Sequence, residues 1–124
     1  MTEELVTLET AKQLRKKGFN EYCKDIIRED NGRMMQSVFR TNKDLLKGAY
    51  SRPTQSIAAK WLREIKNLHI EIYRNACGYG YVIVKANNGT WMADDGAKGP
   101  NDGGKWDTYE EALEAGIFEA LKLI

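Results

Sequence analysis

The stretch Gly99-Pro100-Asn101-Asp102-Gly103-Gly104-Lys105 fills the first seven positions of the phosphate-binding loop G-x-x-x-x-G-K. The eighth position, where Ser or Thr must hold magnesium, is Trp106, and the next helix signal starts near Tyr109 instead of opening on the lysine. No long buried parallel strand leads into the loop, so a nucleotide site is not read here and no cofactor is expected. Asp94, Asp95, Asn101 and Asp102 offer oxygen ligands beside glycines. Their spacing is not that of a twelve-residue calcium loop, and no glutamate closes the set. His69 is the single histidine, which excludes paired-histidine zinc sites such as H-E-x-x-H. Cys23 and Cys77 form no C-x-x-C pair. A Cys77 nucleophile served by His69 is the sharpest covalent arrangement on offer, but no local signature supports it, and a structural thiol is the ordinary role of each cysteine. No catalytic set, metal or cofactor is assigned, and a non-enzymatic role is the preferred reading.

Binding chemistry has more to work with. Tyr73, Tyr79, Tyr81 and Trp91 fall in strand-like segments. If Ile70, Ile72, Val82 and Val84 face the helices, Tyr79 and Tyr81 point outward, and an aromatic sheet face can stack bases or hold a protein partner. The first helix or the first hairpin would cancel this by covering that face, as the number of other elements favours. Lys12, Arg15 and Lys16 form a basic set on the first helix, able to attract a polyanion.

These residues must be positioned by a small set of elements. Val6 to Phe19 reads as a helix with Thr7 as N-cap, Gly18 as the left-handed residue past its end and Phe19 folding back on Leu14. Tyr22 to Phe39 reads as a hairpin around a type I′ turn at Asn31-Gly32. Arg40 to Tyr50 has no clear period and reads as a loop. Ser51 to Tyr73 is the best-marked stretch: Ile57, Ala58, Trp61, Leu62, Ile65 and Leu68 form one helical stripe, Asn67 ends the helix, and His69 to Tyr73 alternates as a strand. Arg74 to Gly80 reads as a turn, Tyr81 to Val84 and Thr90 to Ala93 as strands, and 94–105 as a mobile loop with four glycines, a proline and three aspartates. Thr108 with Glu111 fits a capping box for the last helix, which Gly116 interrupts, as a close helix–sheet contact would explain. The order α-ββ-α-βββ-α defines an α+β fold in which an antiparallel sheet packs with three helices. Its second half has the element order of a double-stranded-RNA-binding domain, and order alone says little of function.

At 124 residues the chain suits one domain, 1–124, with a single core. No apolar run approaches the roughly 20 residues of a membrane span. The acidic start, Met1-Thr2-Glu3-Glu4, does not read as a secretory leader, so a cytoplasmic setting with reduced cysteines is expected. The net charge is +1 but uneven: residues 1–66 hold 14 Lys and Arg against 9 Asp and Glu, and residues 67–124 hold 5 against 9. That dipole suits an anionic partner at one end, or self-association, but charged surface helices produce it by themselves, and that is the preferred reading.

Three segments carry a resemblance. They are Thr7-Leu8-Glu9-Thr10-Ala11-Lys12 with Lys17-Gly18-Phe19; Pro53-Thr54-Gln55 with Lys60-Trp61-Leu62-Arg63-Glu64; and Tyr109-Glu110-Glu111-Ala112-Leu113-Glu114-Ala115-Gly116 with Glu119-Ala120-Leu121-Lys122-Leu123-Ile124. In this order they resemble a group of small uncharacterised proteins of Bacteroides-type gut bacteria and their phages or mobile elements. The likeness covers the helices, less than half of the chain, and leaves out the glycine-rich loop. It implies a setting and no mechanism. The expectation is a small interaction protein with a protein partner or a second copy, and nucleic acid as the competing partner. Its contact residues would come from Tyr73, Tyr79, Tyr81, Lys12, Arg15 and Lys16.

Overall fold

A computed structural model describes residues 4–30, 32, 34–45 and 47–124, with 35–40 as backbone alone. The elements are α1 (Leu8–Lys16), β1 (Cys23–Arg28), β2 (Met34–Arg40), β3 (Ala49–Ser51), α2 (Gln55–Ile65), β4 (Leu68–Asn75), β5 (Gly78–Lys85), β6 (Trp91–Asp94) and α3 (Tyr109–Lys122), with short 3-10 turns at Asn42–Asp44 and Asp102–Gly104. The class is α+β, and the strands fall into two antiparallel three-stranded sheets, β2-β1-β3 and β4-β5-β6. The chain divides into two compact units, 1–58 and 59–124, and the division falls inside α2.

In the first unit α1 is shorter than its pattern suggests but ends as its residues dictate. The Thr7 hydroxyl accepts from the Thr10 N–H. Gly18 has φ 97°, and Phe19 N–H and Gly18 N–H donate to the carbonyls of Leu14 and Arg15 at 2.9 and 3.2 Å, the paired bonds of a Schellman ending. Val6, Ala11, Leu14, Phe19, Ile26 and Ile27 are buried, each large one contributing about 1.5–3 kcal/mol. β1 and β2 pair with Ile27 opposite Met34. Asn31, on which the type I′ reading depends, lies outside the described residues.

The segment read as a loop, Arg40 to Tyr50, runs into β3, which adds to the free edge of β1 with Ile27 opposite Tyr50. Three residues are too short to show a period. A buried side chain holds the segment instead: Asn42 Nδ2 donates to the Phe19 carbonyl at 2.7 Å, and Asn42 Oδ1 accepts from the Ser51 N–H at 2.9 Å.

In the second unit α3 packs across β4 and β5. Thr108 caps it, accepting from Glu111 N–H at 3.1 Å. Gly116 sits where a Cβ would lie 2.9 Å from Ile70 Cγ2 and 3.2 Å from Tyr81 Cγ, so the absent side chain sets how closely helix and sheet approach. Asn67, with φ 59°, ends α2 as its type predicts, and exchanges hydrogen bonds with Asn87. The α2 stripe is narrower than its spacing implies. Ala58, Trp61 and Leu62 are buried, whereas Ile57 and Ile65 are exposed.

Candidate interaction surface

The direction of the side chains in β4 and β5 follows from one tight turn, and a register shift between Ile83 and Val84 then brings Trp91 of β6 opposite Val84. Asn75 pairs with Gly78, so Ala76-Cys77 alone form the connection, and Ile70 stands opposite Ile83, Ile72 opposite Tyr81 and Arg74 opposite Tyr79. Directly opposed residues share a face. Tyr79 and Tyr81 therefore point with the isoleucines toward α3, and the outward direction expected for them is corrected. Tyr81 is 1% exposed, its ring 5.7 Å from that of Trp106, and burial first, with nearby carboxylates, pushes its hydroxyl up to about 12. Tyr79 is half-buried beneath the Arg74 guanidinium, 4.9 Å away, and meets Tyr109 edge-on at 6.3 Å. The cover is α3, whose Gly116 lies against Ile70 and Tyr81.

The opposite face is the open one. Register arranges it in cross-strand rows: His69, Val84 and Trp91; then Glu71, Val82 and Asp94; then Tyr73 with Gly80. Val82 and Val84 are half-buried, and Trp91, on the edge strand, is 61% exposed. His69 Nε2 lies 3.7 Å from Glu71 Oε1. Of the three tyrosines singled out in the sequence, this face keeps Tyr73. Val82, Val84 and Glu71 escape sequence reasoning, although the parity of the turn would have found them.

Tyr73 is committed to a clasp at the end of this face. Its hydroxyl donates to Asp95 Oδ2 at 2.5 Å, and Lys105 Nζ lies 3.2 Å from the same oxygen and 5.5 Å from the ring centre. Burial alone would raise the Asp95 carboxyl; the hydrogen bonds from Tyr73 and Lys105 outweigh it and hold the group below its usual range. The Lys105 ammonium is held above its usual range, chiefly by Tyr73 and then by Asp95 against desolvation. A Cβ at Gly80 would overlap Asp95 Oδ2 and the Tyr73 ring, which explains a glycine inside a strand. Composition predicts a mobile loop at 94–105; the structure instead closes it. Gly99 N–H donates to the Gly104 carbonyl at 2.8 Å, Asn101 N–H to Lys105 at 2.9 Å, and Asn101 Nδ2 to the Cys77 carbonyl at 3.2 Å. The lysine of the G-x-x-x-x-G-K stretch is thus turned onto Asp95, away from any phosphate cradle.

The basic set belongs to the first unit. Lys12, Gln13, Arg15, Lys16 and Tyr50 line a shallow groove of about 530 Å³. Two of its three cations are engaged. Lys12 Nζ bonds Glu29 Oε1 at 2.6 Å, and Tyr50 donates to Glu29 Oε2 at 3.1 Å; Lys12 first, then Tyr50, holds the Glu29 carboxyl below its usual range. Arg15 donates to the carbonyls of Ala49 and Leu45 and lies 5.6 Å over the Tyr50 ring. Lys16 is exposed, with no ion pair among the described residues.

The Cys77–His69 pair is not assembled. Cys77 lies in the turn, while His69 stands opposite Val84 at the far end of the hairpin, roughly 20 Å away at about 3.3 Å per strand residue. Cys23 is buried, and burial first, then Asp25 and Glu21, pushes its thiol up to about 11; Cys77 is exposed. Among the described residues no group of three or more His, Cys, Asp and Glu side chains gathers as a metal cluster, and no helix is long and apolar enough to cross a membrane. Set against protein-family models, curated proteins and solved structures, the chain matches none of them.

Proposed function

We propose that this chain is a small non-enzymatic interaction protein, working in the cytoplasm in a phage or mobile-element setting, and that it binds a protein partner through the open face of the second sheet. The observation that carries this reading is Trp91, 61% exposed on an edge strand and aligned with Val84 in one cross-strand row. A large aromatic beside β-branched neighbours, ringed by polar groups, is the composition of an interface centre. The setting comes from the resemblance of the helical segments. The test is affinity capture from the host or infected cell with the native chain and with Trp91→Glu. A partner retained by the native chain and lost by the variant supports the reading; a capture indifferent to Trp91 sinks it.

A second reading, nucleic-acid binding, has the groove lined by Lys12, Arg15, Lys16 and Tyr50 in its favour. It loses Tyr81 as a stacking residue, because that ring is in the core. Fluorescence anisotropy with single- and double-stranded DNA and RNA at two salt concentrations separates the readings. Salt-sensitive micromolar binding that Lys16→Glu weakens would favour the nucleic acid.

A further inference from the structure

Among the described residues the open face carries two exposed carboxylates, Glu71 with the His69 imidazole 3.7 Å away and Asp94 accepting from the Gly96 N–H at 3.0 Å. Glu71 and Asp94 flank Val82 in the same cross-strand row, about 10 Å apart at two strand spacings of ~4.8 Å. Lys105, at the end of this face, is already paired with Asp95, and Lys98 is held by Glu119 on α3 at 3.2 Å. The next row supplies Val84 and the Trp91 ring. From this arrangement we infer that the face is a seat for a basic protein segment, and that one lysine or arginine of that segment lies across Val82 and Val84. Its aliphatic stem covers the valines, its charged head reaches the carboxylates of Glu71 and Asp94, and the indole of Trp91 offers a cation–π surface beside it. The two valines alone would accept any apolar group; the paired carboxylates select the cation. The same carboxylates disfavour a phosphate backbone on this face. This inference rests on the reading of the open face as the partner surface and adds the partner's chemistry to it.

The experiment is a selection of random dodecapeptides on the immobilised native chain, with counter-selection on Trp91→Ala. The expected result is a Trp91-dependent pool enriched in Lys or Arg next to an aliphatic or aromatic residue. The best peptide should bind Glu71→Lys and Asp94→Lys at least about tenfold more weakly, because a like charge now faces its cation, and replacing its cation by norleucine should cost a similar factor. Circular dichroism and an unchanged unfolding midpoint show that both charge-reversed variants fold. A Trp91-dependent pool that is neutral or acidic, or whose binding ignores the reversals, overturns the assigned chemistry while leaving the surface reading intact. So does a homodimer that Trp91→Glu dissolves and Glu71→Lys does not, since a second copy would then be the occupant. A pool without Trp91 dependence, together with a cellular capture equally indifferent to Trp91, removes the surface reading itself.

Discussion

On the helix side of the second sheet, Ile70, Ile72, Tyr81 and Ile83 meet α3, and Tyr81 is 1% exposed. On the other side Val82, Val84 and Trp91 stand among Glu71, His69 and Asp94, and Trp91 is 61% exposed. Both faces carry β-branched residues and an aromatic ring, so apolar content does not separate them. Two things do. The two-residue turn at Ala76-Cys77 sets the parity of the register, and Gly116 lets α3 approach one face closely. A connection one residue longer would place Ile72 beside Val82, exchange the faces of β5 and bring both tyrosines to the surface.

The sharpest way to break this comparison is to shorten one side chain on each face. Tyr81→Ala should cost about 3–5 kcal/mol in urea unfolding, the range for a buried aromatic, whereas Val82→Ala on the open face should cost under about 1 kcal/mol. Equal losses would mean the faces are misassigned. Gly116→Ala comes next. Alanine gains about 1 kcal/mol of helix propensity, but its Cβ crowds Ile70 and Tyr81, so a net loss of about 1–2 kcal/mol is expected; a stabilised variant would show that the helix stands off the sheet.

Asp95→Asn tests the clasp that closes one end of the open face, with an expected loss of roughly 1–3 kcal/mol at pH 7 from the buried Lys105 left without its counter-charge. Its pH dependence has a definite sign. The Asp95 carboxyl is held below its unfolded value, so its contribution is complete above the unfolded pKa of about 4 and is lost as pH falls through that value toward the folded one. Urea midpoints between pH 7 and pH 3 should therefore fall more steeply for the native chain than for Asp95→Asn. Parallel acid limbs would deny the clasp a stabilising role. The smallest effect is on Trp91, where Ala should leave stability within about 0.5 kcal/mol while abolishing partner capture. A large loss of stability would make Trp91 part of a core.

Much of this architecture is legible locally. Thr7, Gly18, Asn67 and Thr108 mark helix ends in the sequence and do so in the structure, because capping depends on residues within four positions. The α+β class follows from apolar periods of 3.6 and 2. What escapes is set by distant partners. β3 has three residues and exists because Asn42 and the edge of β1 hold it. Gly78 and Gly80 look like turn residues but are strand residues thinned for the Trp106 carbonyl and for Tyr73 with Asp95. The glycine-rich loop looks solvated because nothing in its own composition announces that Lys105 will reach back ten positions to Asp95. The open face is missed for the same reason, since alternation identifies two faces and leaves their destinations to the register.

The two cysteines give the molecule an unequal chemical address. Cys23 is enclosed, and burial holds its thiol well above the usual range, so it stays protonated and unreactive at neutral pH. Cys77 sits in the open at the tip of the β4–β5 hairpin, at the opposite end of that hairpin from the row holding Val84 and Trp91. A maleimide resin or dye added to the folded protein therefore goes to one thiol without any substitution. Anchored there, the chain is oriented on a support with its tether at one end of the hairpin and Trp91 at the other, turned toward the solution.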